Sequence, residues 1–206
     1  AHELARACHV VENEVVGVPT GAADQTTAVA AEADELLMLR GRPCAVAGSI
    51  AVPTDVEFVG LDIGVRHGDD RAPYRDLRTG AFVAARMLRD DPAWRGDLAA
   101  LDIAEFRQRL GSLLPVTIGG AEFMQRYGDH ADAATRVDPA RTYAVRGAAA
   151  HVVEENARAE RFAALLQQPP TPANRAELGD LLFAAHDAYA GSDLGHATAD
   201  FVVAVA

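Results

Sequence analysis

The residues best suited to chemistry lie in the stretch VENEVVGVPTGAADQ, residues 11–25. It places a carboxylate late in one helix and a second one, Asp24, beyond a turn. Gly17 can close the first helix and Pro19 cannot continue it. The turn can therefore bring the two acidic side chains back toward one site. A carboxylate at the start of a helix is stabilised by free backbone N–H groups, and an Asp placed there could orient or deprotonate a hydroxyl. The plainer reading is that Asp24 only caps its helix, the commonest task for an Asp at that position. Spacing leaves both open.

Other polar groups have plainer readings. His151 and Glu155 stand four residues apart and could share a metal, but no third ligand is evident and zinc needs at least three; a pair on a helix surface suffices. His186 follows an apolar stripe, where an inward histidine with its hydrogen bonds satisfied is the default. Arg66 and His67 could meet a phosphate at a strand end, or pair with Asp69 or Asp70. Asp129 and His130 lie next to Tyr127 with no nucleophile nearby in sequence. Cys8 and Cys44 have no metal or redox spacing and read as two buried thiols of a cytosolic protein.

The elements that must position these groups are mostly helical. Residues 2–15 read as a helix with Leu4, Ala7, Cys8 and Val11 at spacings of three and four. An Ala-rich helix follows Asp24, and 36–40 is a short strand. Residues 56–65 give the clearest strand pattern, with Val59, Leu61, Ile63 and Val65 on one face and Gly60, Asp62 and Gly64 on the other. A helix then carries Tyr74, Leu77, Ala81, Ala84 and Leu88 on one seam. Residues 90–100 read as a loop, and short helices fit 102–110 and 119–127. A long helix is expected over 139–167, capped by Asp138 with Pro139 in its first turn, its core stripe running through Val145, Ala149, Val152, Ala159 and Leu166. Another fits 174–190, with Leu178, Leu182, Ala185 and Tyr189 inward, and a last one begins near 196. The fold class is α+β and helix-rich, with one weak candidate domain junction in the Asp-, Pro- and Gly-containing stretch near 90–115.

Composition bounds the function. The chain has 206 residues, 50% hydrophobic and 24% charged, too apolar for disorder and long enough for a substantial core. All 19 basic residues are arginine, and the net charge of −11 opposes a general nucleic-acid or anionic-membrane surface. No stretch is long and apolar enough for a spanning helix, and no signal-peptide pattern opens the chain. A cytoplasmic protein, with no nucleic-acid and no membrane partner, is expected. The chain starts inside a helical pattern and stops on an apolar run, so a segment of a longer protein is also expected.

Several blocks resemble one family. Residues 11–25 are similar to the galactokinase signature A-E-N-x-x-V-G-x-x-C-G-I-M-D-Q. DIGVRH at 62–67 resembles D-S-G-V-R-H, HVVEEN at 151–156 resembles H-V-x-x-E-N, and LLFAAH at 181–186 resembles L-M-x-x-S-H. Residues 74–87 (YRDLRTGAFVAARM), 120–130 (GAEFMQRYGDH) and 141–146 (RTYAVR) look like the L-arabinokinase branch. These blocks keep their order along the chain and mark it as similar to the GHMP small-molecule kinases.

The resemblance implies a GHMP-kinase-like two-domain α+β fold, incomplete at both ends. Residues 1–100 would be the remainder of an N-terminal catalytic domain, and 101–206 part of a C-terminal α+β domain. It implies a sugar kinase that moves the ATP γ-phosphate to the anomeric hydroxyl of galactose or L-arabinose, with Mg²⁺. Asp24 matches the catalytic Asp, Glu12 a Mg²⁺ ligand, Gly21 a glycine lying against the sugar, and Tyr74 a tyrosine contacting it. Mg²⁺ takes one or two carboxylates plus waters and phosphate oxygens, so a single Glu is chemically reasonable. Structural readings stand beside these: Glu12 as a solvated helix carboxylate, Tyr74 as a core anchor. The sequence departs from the signature at Thr20, Ala22 and Ala23. It also lacks the family's N-terminal Arg motif, its Gly/Ser-rich phosphate loop and its C-terminal glycine-rich motif, so this chain alone should bind MgATP poorly and turn over little. The alternative within the resemblance is a non-catalytic sensor of sugar and nucleotide.

Overall fold

The structure, a computed structural model, describes residues 2–41, 44–65, 72–92, 94 and 96–205. Helix α1 (His2–Val10) runs on through a π-helical turn, Val11–Val15. Gly17 ends it with φ +75°, the left-handed conformation a helix stop requires. The chain returns through Pro19 into α2 (Ala23–Ala30), which lies against α1 around buried Ala5, Pro19 and Thr26. The apolar positions expected to face a core on α1 do not: Leu4, Ala7, Cys8 and Val11 are exposed, and only Ala5 of α1 is buried. Cys8 is thus an exposed thiol and Cys44 a half-buried one, and neither is in a disulfide.

Strands β1 (Glu35–Arg40) and β2 (Ala45–Ala51) form an antiparallel ladder with an irregularity at Met38/Leu39. The expected 36–40 strand is present, and its partner β2 had no sequence counterpart. Residues 56–65 form no strand, although their alternation is the strongest in the chain. A strand needs a neighbour to take its backbone N–H and C=O groups, and none pairs with this segment among the described residues. Val59 and Leu61 stand 80% and 68% exposed. At its end the Asp62 carboxylate accepts from the Gly64 N–H at 2.8 Å, a local turn, with Gly64 at φ +69°. The Arg66, His67, Asp69 and Asp70 positions lie outside the described residues.

Helix α3 (Ala72–Leu88) and the longer α7 (Val145–Leu166) pack together and carry the main core. Between them come a 3₁₀ turn (Leu98–Ala100), then α4 (Ile103–Glu105), a π turn (Phe106–Leu110) and α5 (Gly111–Leu113), which run on as one helical stretch. Strand β3 (Thr117–Gly119), α6 (Gly120–Tyr127) and β4 (Thr142–Ala144) follow. β3 and β4 pair antiparallel. The core cluster unites Val83, Ala84 and Leu88 of α3 with Phe106, Leu110, Leu114, Phe123, Tyr143, Val145, Ala149 and Val153. On α7 the buried face runs through Ala148 and Val153 as well, while Val152 is half-buried and Ala159 exposed.

The long helix starts six residues later than the Asp138–Pro139 signal implies. The Asp138 side chain accepts from the Ala140 N–H at 2.9 Å, closing a local turn, and residues 142–144 join the ladder to β3 before the helix begins. A capping residue and a turn residue are chemically the same here, and the ladder decides between them.

Helix α8 (Pro172–Ala190) is capped by the Thr171 hydroxyl, which accepts from the Asn174 N–H, and α9 (Ala197–Val205) follows. A smaller core joins Ile50 of β2, Leu165 and Leu166 of α7 and Leu178 of α8, with Leu36 and Met38 packed on it. Leu182 and Tyr189, expected inward, are exposed, because this hairpin covers only the first half of α8. Helices predominate over two small ladders, as the α+β class requires. No helix among the described residues is long and apolar enough to cross a membrane.

Candidate active site

An open cavity of about 840 Å³ lies between the α1–α2 pair and helices α3, α7 and α8. The α1–α2 turn brings Thr20, Gly21 and Ala22 to its wall; α3 brings Tyr74, Leu77, Arg78, Ala81 and Phe82. Tyr74, Leu77 and Ala81 were expected on the packed seam of α3. The seam instead runs through Thr79, Gly80, Val83, Ala84 and Leu88, which leaves the neighbouring face, including part of the expected stripe, to line the cavity. Gly21 and Tyr74, 53 positions apart in sequence, therefore both line this cavity.

Asp24 sits in the first turn of α2 and is exposed. It is not the helix cap: that position is Ala22, which makes no side-chain cap bond. The capping alternative for Asp24 thus has no hydrogen bond behind it. Its side chain stands at the positive end of a short helix, three residues beyond Gly21, and outside the residues lining the cavity.

Glu12 is half-buried rather than free in solvent. Its Oε2 accepts from the Thr20 hydroxyl at 2.6 Å and from the Gln25 side-chain amide at 2.5 Å. One carboxylate thus ties the π turn of the first helix to the loop and to the start of α2. The Asn13 amide supports the same loop, donating to the carbonyls of His9 (2.9 Å) and Thr20 (3.3 Å). Two buried carbonyl oxygens here, Asn13 Oδ1 and Gln25 Oε1, have no partner among the described residues. A carboxylate flanked by unpartnered amide oxygens is an all-oxygen donor set, the chemistry of a hard cation and its waters. Among the described residues no three His, Cys, Asp or Glu side chains cluster as a metal site. His151 in particular bonds Ser192 at 3.3 Å, and Glu155 pairs with Arg158.

The residue that sequence reasoning passed over is Arg78. Its guanidinium grips Asp132 with two parallel bonds, Nε to Oδ2 and Nη2 to Oδ1, both 2.8 Å, and its Nη1 donates to the Thr20 carbonyl at 2.8 Å. His9 Nε2 donates to the same carbonyl at 3.0 Å. The Thr135 hydroxyl supports Asp132 at 2.7 Å. The ion pair is well shielded, with side-chain exposures of 15% and 3%. Burial works against the charge on both partners, but their mutual bonds outweigh it. Arg78 is held above its ordinary pKa, chiefly by Asp132 with a smaller share from the neighbouring Tyr74 phenol. Asp132 is held below its own, by Arg78 and Thr135. Breaking such a pair from one side costs about 3–5 kcal/mol, because an uncompensated charge stays behind.

Beside this pair lies His130, with a fully shielded side chain. Its Nδ1 accepts from the Asp132 backbone N–H at 3.2 Å, so Nε2 carries the proton. Burial pushes its pKa down. It packs against the Phe82 ring with centroids 5.7 Å apart. The other histidine left open by sequence, His186, pairs with Asp200 at 3.0 Å.

The chain is 31% identical to L-arabinokinase of Arabidopsis thaliana over 223 aligned positions, which take in 94% of this chain and 22% of that protein. It is 29% identical to galactokinase of Streptomyces coelicolor over 176 positions, 83% of this chain and 37% of the relative. To galactokinase of Chloroflexus aggregans it is 36% identical over 117 positions, 55% of this chain and 28% of the relative. The chain thus spans between about a fifth and somewhat over a third of the length of these curated relatives. No family model matches it, and no solved structure does.

Proposed function

We propose that the chain is part of a GHMP-type sugar-1-kinase, transferring the ATP γ-phosphate to the anomeric hydroxyl of galactose or L-arabinose. The observation that carries this reading is that Gly21 and Tyr74 line one cavity, with the Gly21 loop joined through Thr20 to Glu12. Two of the four residues that the resemblance singles out, Gly21 and Tyr74, line a cavity of monosaccharide size or larger, and a third, Glu12, is tied to the Gly21 loop through the Thr20 hydroxyl. Similarity to an L-arabinokinase along 94% of the chain supports the same activity.

In this reading Tyr74 and Gly21 hold the sugar and Asp24 orients the anomeric hydroxyl and takes its proton. The hydroxyl oxygen forms a bond to the γ-phosphorus as the bond to the ADP oxygen breaks, with ADP carrying away that electron pair. Phosphoryl transfer depends on positioning and charge stabilisation more than on covalent help. Mg²⁺ bound with ATP would neutralise phosphate charge, and Glu12 is the carboxylate that would hold it. Ala22 and Ala23, smaller than the residues of the signature, bear on which sugar is taken rather than on the reaction. The division at residue 100 into parts of two domains, and a cytoplasmic setting compatible with two unbridged thiols, belong to the same proposal.

The test is the position of the new phosphate. The protein at its natural length is incubated with MgATP and either galactose or L-arabinose, and the product is read by phosphorus–proton NMR correlation. A phosphate coupled to the anomeric proton supports the reading and names the sugar. Sugar and nucleotide binding without any phosphorylated product contradicts it in favour of a sensor.

A further inference from the structure

We propose that Arg78, anchored by Asp132, is the positioning residue of this site: it fixes the Thr20–Gly21 peptide and so sets how the loop meets its ligand. The inference rests on the kinase reading for the identity of the ligand, but not for the clamp itself.

Three segments distant in sequence meet at this one side chain. Arg78 lies one helical turn after Tyr74 on α3, bonds Thr20 across 58 positions, and bonds Asp132 across 54. All three of its nitrogens are engaged within the protein, so it acts through the loop rather than as a ligand group. The bidentate grip fixes the plane of the guanidinium, and stacking over the Phe82 ring at 5.6 Å fixes its side. Its remaining arm then has one direction, toward the Thr20 carbonyl.

That carbonyl is the hub of the loop. Arg78, His9 and Asn13 all donate to it. In a planar trans peptide the C=O and the following N–H point in opposite directions. Holding the Thr20 oxygen therefore also aims the Gly21 N–H. The Thr20 hydroxyl on the same residue donates to Glu12. Gly21 has no side chain of its own to steady it, and a Cβ built there would meet nothing within 4 Å. Its placement is imposed from the preceding residue. Lysine cannot replace this arrangement, because an ammonium has no planar fork to divide between a carboxylate and a carbonyl.

The experiment compares wild type with Arg78→Lys, Asp132→Asn and the milder Thr135→Ala, all at natural length. Two readouts are taken: sugar and ATP kinetics, and amide hydrogen exchange over residues 18–24 against the buried part of α7. Arg78→Lys is expected to raise the sugar KM about tenfold or more while moving the ATP KM less than about twofold. Exchange over 18–24 should quicken roughly tenfold with α7 unchanged. Asp132→Asn should do the same, and Thr135→Ala should shift both readouts in the same direction by less. Loop exchange at the wild-type rate overturns the proposal, as does a quickened loop with sugar KM unchanged. Equal quickening of the loop and α7, with both KM values moving together, marks a merely structural ion pair and also overturns it. If wild type shows no sugar-dependent turnover, the kinase reading fails. The clamp then stands if exchange over 18–24 alone quickens and falls if it does not.

Discussion

Thr20 does more in this molecule than its small side chain suggests. Its hydroxyl donates to Glu12 and its carbonyl gathers Arg78, His9 and Asn13. The isosteric Thr20→Val removes only the hydroxyl and leaves Glu12 one donor poorer. Urea unfolding should show a loss of about 1.5–3 kcal/mol, the range for a hydrogen bond to a charged group; a change within about 0.5 kcal/mol would mean that water replaces the hydroxyl. His130 gives a pH dependence. Its folded pKa lies below the ordinary 6.5, so the unfolded chain binds the extra proton first. The resulting stability is complete above about pH 6.5 and declines as pH falls toward the folded pKa. His151, also lowered by burial, adds to the same slope. Chemical unfolding at pH 7 and pH 5 should show wild type losing stability on acidification, with a smaller loss in His130→Gln. An equal loss in both would exclude His130 as a source. At this scale a contiguous signature and a helix start single out Glu12, Gly21, Asp24 and Tyr74 as candidates, and of these Gly21 and Tyr74 line the cavity. Arg78 was not: one arginine among several on a helix reads as a solvated charge, and its partners are more than 50 positions away.

Among the elements, the contact of α3 with α7 depends on a missing side chain. A Cβ at Gly80 would stand 2.6 Å from the Ala144 carbonyl oxygen and 3.1 Å from the Ala148 Cβ. Gly80→Ala must push α7 outward and should cost about 1–3 kcal/mol. Gly179, inside α8, has open space where its Cβ would go. Gly179→Ala should instead stabilise by about 0.5–1 kcal/mol, since alanine loses less backbone freedom on folding. Thermal melts of the two variants should move in opposite directions; a stable Gly80→Ala would show that the helices are not in close contact. Most helices were legible from their periodicity, with ends misplaced where tertiary pairing intervened. The Asp138–Pro139 pair signals a helix start but makes a turn, because residues 142–144 are taken by β3. Residues 56–65 signal a strand but have no neighbour to complete one among the described residues. Periodicity records which side chains could share a face; it does not record whether a partner is present to satisfy the backbone.

For the molecule as a whole, the cavity is the consequence of how two cores are arranged. The larger one, built on α3 and α7, holds Tyr74 and Arg78 on a firm helix; the smaller one attaches the β1–β2 hairpin to α7 and α8. The α1–α2 pair closes the space from the other side and delivers the Gly21 loop. This gathering was not legible from the sequence, which marked the parts but not their distance from one another. The central claim is sugar phosphorylation dependent on Asp24. Its most direct measurement is ADP release by the protein at natural length, with galactose and with L-arabinose, in wild type and in Asp24→Asn. The account predicts sugar-dependent release that falls by a factor of about 10²–10⁴ in the variant. Release independent of sugar, or release that Asp24→Asn leaves unchanged, would contradict it.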